Sequence, residues 1–237
     1  MKKTLLALAV AAALVPSLAM AEAGDIVVRV RATHISADES SSLGATTAAN
    51  IAPATVYGNN AASDAAELRV GSNTIPEIDF SYYITKNIAA ELILAVGTRH
   101  DVSIKGLQTG GLVQNPNLGS VNLLPPTLLA QWHFNPDQTI DPYVGAGLSY
   151  VRAMDRGLAG DLGGGASLPI RISRNSWGPA IQAGFDYNLE NKWLINFDVK
   201  KIWFDTKVEA NVGGVWTKID KLDVDPWIVS VGFGKKF

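Results

Sequence analysis

Arg29 and Arg31 stand two residues apart between valines, and Asp79, Glu91, Gln131, Asp186 and Asp198 occupy similar every-second positions elsewhere in the chain. Period-two spacing puts such residues on one face of a strand. Opposite charges gathered on facing strands pair with one another, because a buried charge is tolerated only beside a counter-charge and hydrogen bonds. Proton-transfer or metal chemistry has no comparable support. His34, His100 and His133 are scattered, without metal-ligand spacing and without a serine set beside them by a recognisable motif. Cysteine is absent, so there is no thiolate nucleophile, thiolate metal site or disulfide framework. The glycine-rich stretches lack a following GK[ST] and a helix, so they are not phosphate cradles. An acyltransferase is the catalytic alternative for a small barrel; the residues point instead to a non-enzyme without metal or cofactor.

A charged strand face implies a second face of different character, and the last residues display it. In DVDPWIVSVGFGKKF (223–237), Trp227, Val229, Val231, Phe233 and Phe237 form an apolar row, while Gly232, Gly234, Ser230 and Lys236 oppose it and Ile228 is the apolar exception. An apolar face on the final residues has nothing downstream to cover it, and lipid answers that need. The strand, with its terminal Phe237, is expected to be the segment that the barrel-assembly machinery reads. At the other end Lys2 and Lys3 precede an apolar core too short to span a bilayer, then Ala19-Met20-Ala21. Residues 1–21 therefore read as a cleaved signal peptide and 22–237 as one outer-membrane β-barrel domain. Removing the leader takes two of the 20 basic residues and none of the 22 acidic ones. The mildly acidic remainder argues against a nucleic-acid partner.

Hydrophobic residues make up 47% of the chain, yet no run after residue 21 is long enough for a membrane helix. Barrel strands hide apolar residues in alternation and evade such a window. Eight strands are expected, at about 25–35, 76–84, 88–96, 121–134, 142–151, 176–188, 192–207 and 223–237. Short turns follow the second, fourth and sixth. Long exposed loops are expected at about 38–72, 100–120 and 152–175, and a shorter one around Gly213-Gly214. Alternating long and short connections fit an all-β, eight-stranded antiparallel up-and-down transmembrane barrel. A soluble lipocalin-like barrel would have to bury Tyr82, Trp132, Phe134, Tyr187, Trp193, Phe233 and Phe237 in a narrow lumen. All of these lie next to the short turns or the C-terminus, as an interfacial girdle should. Tyr150, Trp177, Trp203 and Trp227 belong to the opposite rim.

Five blocks resemble the OmpW family of Gram-negative outer-membrane proteins, in the family's order. They are LPPTLLAQWHF (124–134), PYVGAGLSY (142–150), SWGPAIQAGFDY (176–187), WLINFDVKKIWFDTK (193–207) and VDPWIVSVGFGKKF (224–237). The resemblance implies a bacterial outer-membrane location and a barrel that lets small hydrophobic molecules cross. Its AlkL branch is associated with hydrocarbon uptake.

The inward rows agree with that implication in two layers. Near the short turns Arg29, Arg31, Asp79, Glu91, Gln131, His133, Asp186, Asn196, Asp198 and Lys236 form a candidate periplasmic plug, with Gly184 as a small neighbour; they serve either as a functional seal or as ordinary filling of a narrow barrel. Higher up, Ile93, Ala95, Leu123, Leu129, Val151, Ile202, Phe204 and Ile228 face inward as a candidate hydrophobic lumen, or as core packing. Pro76, Pro125, Pro126, Pro179 and Pro226 fall on even-numbered strands at one level, about 9 to 11 residues and so roughly 25 Å above the short turns or the terminus at ~3.4 Å per residue and ~40° tilt. Proline donates no ladder hydrogen bond, so this ring is a candidate lateral opening, or simply an irregular rim. The expected function is passage of a small hydrophobic solute from outside towards membrane lipid by that side route. The alternative is a plugged structural barrel whose outer loops act as a receptor or envelope-interaction surface.

Overall fold

The computed structural model describes residues 22–50, 66–95, 98–106, 113 and 115–237. The expected signal peptide at 1–21 lies outside them. The first stave is β1 (Ile26–Ser36), followed by the short helix α1 (Leu43–Asn50). The second stave descends as β2 (Glu67–Val70) and β3 (Asn73–Tyr83), and the third rises as β4 (Ile88–Ala95) and β5 (Thr98–Lys105). The fourth is β6 (Asn117–Leu124) and β7 (Thr127–His133); the fifth is β8 (Ile140–Asp155) and β9 (Gly157–Gly163). Then come β10 (Ala166–Ile172) with β11 (Asn175–Asn188), β12 (Trp193–Ile202) with β13 (Asp205–Val212), and β14 (Val215–Asp223) with β15 (Trp227–Lys236).

Eight of these strands close a ring. The antiparallel order β1-β3-β4-β7-β8-β11-β12-β15 returns to β1, where Val30 lies opposite Phe233 and Ala32 opposite Val231. Closure leaves no strand edge, which is the condition for a sheet to sit in hydrocarbon. The outward row is apolar, with Val30, Leu128, Leu148, Ile181 and Val231 among its exposed members. The seven aromatics near the short turns are exposed as well, so the lumen-facing arrangement of a lipocalin-like barrel does not hold.

The three long segments correct the sequence expectation. They are not simply loops: much of what is described there is strand, continuing the staves outward as β2-β5-β6 and as the four-stranded sheet β14-β13-β10-β9. Tight hairpins at Gly164-Gly165 and Gly213-Gly214 connect them, and positive φ at all four glycines makes such turns cheap. The pattern misled because its sense is reversed. Below, polar residues face in and apolar residues face lipid. Above, Leu68, Val102, Ile104, Leu158, Ile170, Val208 and Leu222 face in and build a hydrophobic core, as in a soluble barrel. Helix α1 joins that core through Leu43, and Ser41 and Ser42 anchor its start by hydrogen bonds to the Asp220 carboxylate at 2.6 to 3.0 Å.

Two outward positions separate these regions experimentally. Val231→Arg, midway up the lipid-facing wall, should cost about 2–4 kcal/mol of folding free energy. Val215→Lys, outward in the extension, should change stability by less than about 0.5 kcal/mol. Denaturant titration of refolding into lipid vesicles measures both.

Candidate functional site

Arg29 and Arg31 enter the lower lumen from β1 because their valine neighbours occupy the lipid face. Arg29 donates from Nη1 to Asp79 at 3.0 Å and to Ser81 at 2.7 Å, and from Nη2 and Nε to Asp186 at 2.6 and 3.2 Å. Arg31 forms ion pairs with Glu77 at 2.7 Å and Asp79 at 3.0 Å, and donates to Asn196 at 3.2 Å. Both guanidiniums approach Glu91, at 3.7 and 3.5 Å. Lys200 bridges Glu77 at 3.2 Å and Asp198 at 2.6 Å, while Gln182 donates to Glu91 and Asp198. Planar five-donor guanidiniums suit this task, since each can hold several carboxylates from different strands.

The lumen makes room for these long side chains with glycine. A Cβ on Gly234 or Gly232 would stand 2.8 Å from Cγ of Arg29 or Arg31. One on Gly184 would stand 2.6 Å from the Tyr143 hydroxyl, which donates to Asp198 at 3.0 Å. Beneath the network His133 contacts Asp141 at 2.7 Å and Tyr83 at 3.1 Å, and the Lys236 ammonium lies over the Tyr83 ring at 5.6 Å.

Every candidate plug residue is therefore buried in one connected polar layer, with Gln131 reaching Ser81 and His133 at 3.4 Å. Glu77, Gln182 and Lys200 belong to it too; alternation turns them inward, but only the fold brings them to their partners. Tyr83 and Tyr143 escaped the sequence reading altogether. The parity of their strands was the available signal. The donor atoms of His133, Asp141 and Asp186 lie within 4.8 Å of one another, the one such grouping among the described residues. Their oxygens are already engaged, Asp186 by Arg29 and Asp141 by His133.

Directly above, Ile93, Leu129, Ile202 and Ile228 meet Ile35, Ile75, Ala95 and Ala180 in a buried apolar layer against which Phe204 packs. A narrow cavity of about 50 Å³ opens over it, lined by Leu123, Val151, Ile202, Phe204 and Ile228 among others. A second, of about 40 Å³, lies in the core of the extension and shares Val70, Leu123, Val151, Phe204 and Val224 with the first. Five of the eight candidate lumen residues thus line one apolar space, and Ile93, Ala95 and Leu129 belong to the layer beneath it.

The prolines differ among themselves. At Pro125-Pro126 the pairs seen among the described residues run to Ile93–Thr127 and appear again at Thr98–Leu123. Pro226 divides β14 from β15, and beyond the last β12–β15 pair, Lys201–Trp227, the Ile202 amide donates to the Pro226 carbonyl at 3.3 Å. Pro76 and Pro179 remain inside strands; the last described β3–β4 pair is Glu77–Ala95, and beyond Ala180–Ile202 the Trp203 amide donates to the Pro179 carbonyl at 3.0 Å. Only Pro125 and Pro226 line the apolar cavity; Pro76, Pro126 and Pro179 line neither cavity.

Known proteins share this fold. A family profile described as OmpW family matches residues 22–237. The uncharacterized outer-membrane protein y4mB of Sinorhizobium fredii is 38% identical over 171 residues, 72% of this chain and 69% of its own. Outer membrane protein W of Escherichia coli is 36% identical over 169 residues, 71% of this chain and 75% of its own. The crystal structure of the outer membrane protein OprG from Pseudomonas aeruginosa superposes with a TM-score of 0.72 at 28% identity, covering 93% of this chain and 99% of that one.

The polar layer should behave as one unit. Arg29→Met leaves Asp79 and Asp186 short of a counter-charge and should destabilise the barrel by about 3–5 kcal/mol. Adding Asp186→Leu should recover part of that loss. Urea unfolding in lipid vesicles, followed by tryptophan fluorescence, measures the pair.

Proposed function

The chain belongs to the OmpW family and is a protein of the bacterial outer membrane, and from that premise we propose that it passes small hydrophobic molecules from the outside towards the membrane by a lateral route. One observation carries the proposal: the two apolar cavities share a wall, and the lower one reaches Pro125 and Pro226, where strand pairing is interrupted. A solute in that space has salt-bridged polar groups below it, and desolvating those groups would cost more than any apolar contact returns. Sideways, past a stretch of wall without a continuous ladder, it meets lipid of its own polarity.

In this reading Leu123, Val151, Phe204 and Ile228 hold the solute by dispersion and exclusion of water. Arg29, Arg31, Asp79, Glu91, Gln131, Asp186 and Asp198 seal the periplasmic half. Pro125 and Pro226 mark the exit, while Pro76, Pro126 and Pro179 weaken the neighbouring wall at the same level. The apolar outer row of β15 and its terminal Phe237 suit recognition by barrel-assembly machinery, the remaining partner in the proposal.

Replacing Pro125 and Pro126 with Val and Thr, which can restore ladder hydrogen bonds, should reduce uptake of an apolar solute while the barrel still folds. Whole-cell or liposome uptake of a fluorescent hydrocarbon measures this, with folding followed separately by circular dichroism. Undiminished uptake would sink the side-exit route.

A further inference from the structure

A surface pocket that adjoins the apolar cavity of the extension at Ile172 and Ser173 lies where β9 begins, β10 passes into β11, and β13 runs alongside. It is a shallow, open depression of about 420 Å³. Arg156, Arg171, Arg174 and Lys207 line it, with Ser173 and Asn175 as uncharged polar groups and Glu209 as its single carboxylate. Glu209 is taken by Arg171 at 2.7 Å, and that guanidinium also covers the Trp216 ring at 4.0 Å. Among the described residues no carboxylate forms an ion pair with Arg156, Arg174 or Lys207. Cations gathered into one concavity repel each other, and the arrangement is favourable only towards an anion.

Its height selects the anion. On the same staves Tyr150 and Trp177 stack with ring centroids 4.5 Å apart, and Trp177 is 67% exposed on the outer face. Exposed aromatics in such a row mark the level of the lipid headgroups. Arg174 lies above Trp177, about 10 Å along the stave at ~3.3 Å per residue. Below the aromatics the wall is apolar through Leu148, Pro179 and Ile181. A ligand that matches the whole strip is amphipathic, with phosphate above and acyl chains below. We infer that this pocket binds the phosphorylated headgroup of an outer-leaflet lipid, with its chains lying on the apolar wall beneath.

Arg174 and Lys207 supply a forked and a point donor from two neighbouring staves, which the Ser173 amide joins to the Lys207 carbonyl at 3.0 Å, so a doubly charged phosphate can engage both at once. The inference uses the barrel and its membrane position, and it does not depend on solute transport.

The test uses the full-length protein refolded in detergent, with bis-phosphorylated lipid A as probe and native mass spectrometry as readout. Wild type should retain the lipid, and a dephosphorylated lipid A of the same chains should bind far more weakly. Arg174→Gln with Lys207→Gln should weaken retention roughly thirtyfold, at the scale of interaction known for cations near an anionic membrane surface. Should that variant not fold, salt answers with wild type: about 0.5 M sodium chloride should release the lipid, since it shortens electrostatic reach to a few ångström. Equal retention of both lipids, or indifference to salt in wild type or to the paired substitution in a folded variant, would overturn the inference. Competition by inorganic phosphate at concentrations matching the lipid would show a free-phosphate site and overturn the lipid assignment.

Discussion

A stave that leaves the bilayer keeps its inner row but changes the solvent on its outer row, and the chemistry of the inner row has to follow. Within hydrocarbon the outside is apolar, so the barrel can fill itself with charge. In water that filling would leave the chain without a hydrophobic core. The stave made of β12 and β13 shows the exchange on one unbroken row: Asn196, Asp198 and Lys200, then Ile202 and Phe204, then Thr206, Val208 and Ala210. On its other face Phe197 and Val199 give way to Asp205 and Lys207. The staves of β6–β7, β10–β11 and β14–β15 also keep their inward parity through the change. The β2–β3 stave resets it across Gly71-Ser72, where Leu68 and Ile75 both face in.

The polar half of that arrangement rests on charges that hydrocarbon alone would reject. Five carboxylates, from Glu77, Asp79, Glu91, Asp186 and Asp198, meet Arg29, Arg31 and Lys200 with little solvent contact. Each ion loses its water, and only multiple partners offset the loss. The network therefore specifies geometry more than it adds stability. Arg29 ties β1 to β3 and β11, and Lys200 ties β12 to β3 across the lumen. A barrel in the wrong strand register would strand these groups opposite apolar partners. Glycine supplies the space, at Gly184, Gly232 and Gly234, where a methyl group would collide with Tyr143, Arg31 or Arg29.

How much of this was legible follows from the same exchange of solvent. The membrane staves announce themselves because Trp193, Ile195, Phe197 and Val199 alternate with Asn196, Asp198 and Lys200, a contrast few other structures need. The extension has the sequence character of a loop because its alternation runs in the opposite sense and is diluted by small residues. In GLAGDLGGG only Leu158 and Leu162 carry it, and glycine-rich runs ordinarily punctuate rather than pair. Arg29 and Asp186 both sit on the inward row of their strands. That they meet at 2.6 Å, 157 residues apart in sequence, depends on the stagger of the closed ring and on no local pattern. Tyr143 illustrates the remaining gap: an aromatic on the polar row looks misplaced until Asp198, Asn196 and Gly184 are seen around it.

The proline level is where the two halves have to be joined, and the joint cannot be perfect. Rows that pack charged side chains against glycine and rows that pack aliphatic side chains against one another call for different local shapes, and the wall between them loses register. A bulge in the pairing of β6 with β8 sits just above it, and Asp225 adopts a positive φ of 37° beside Pro226. Local side chains patch the defect: Asp225 accepts from the Phe204 amide at 2.9 Å, and Lys201 turns to the Asp225 carbonyl at 2.6 Å. Prolines belong at such a joint because a missing donor costs nothing where no acceptor is aligned. The apolar space, the break in the ladder and the aromatic rim therefore coincide for one physical reason. The place where the barrel changes solvents is the place where its wall is hardest to close.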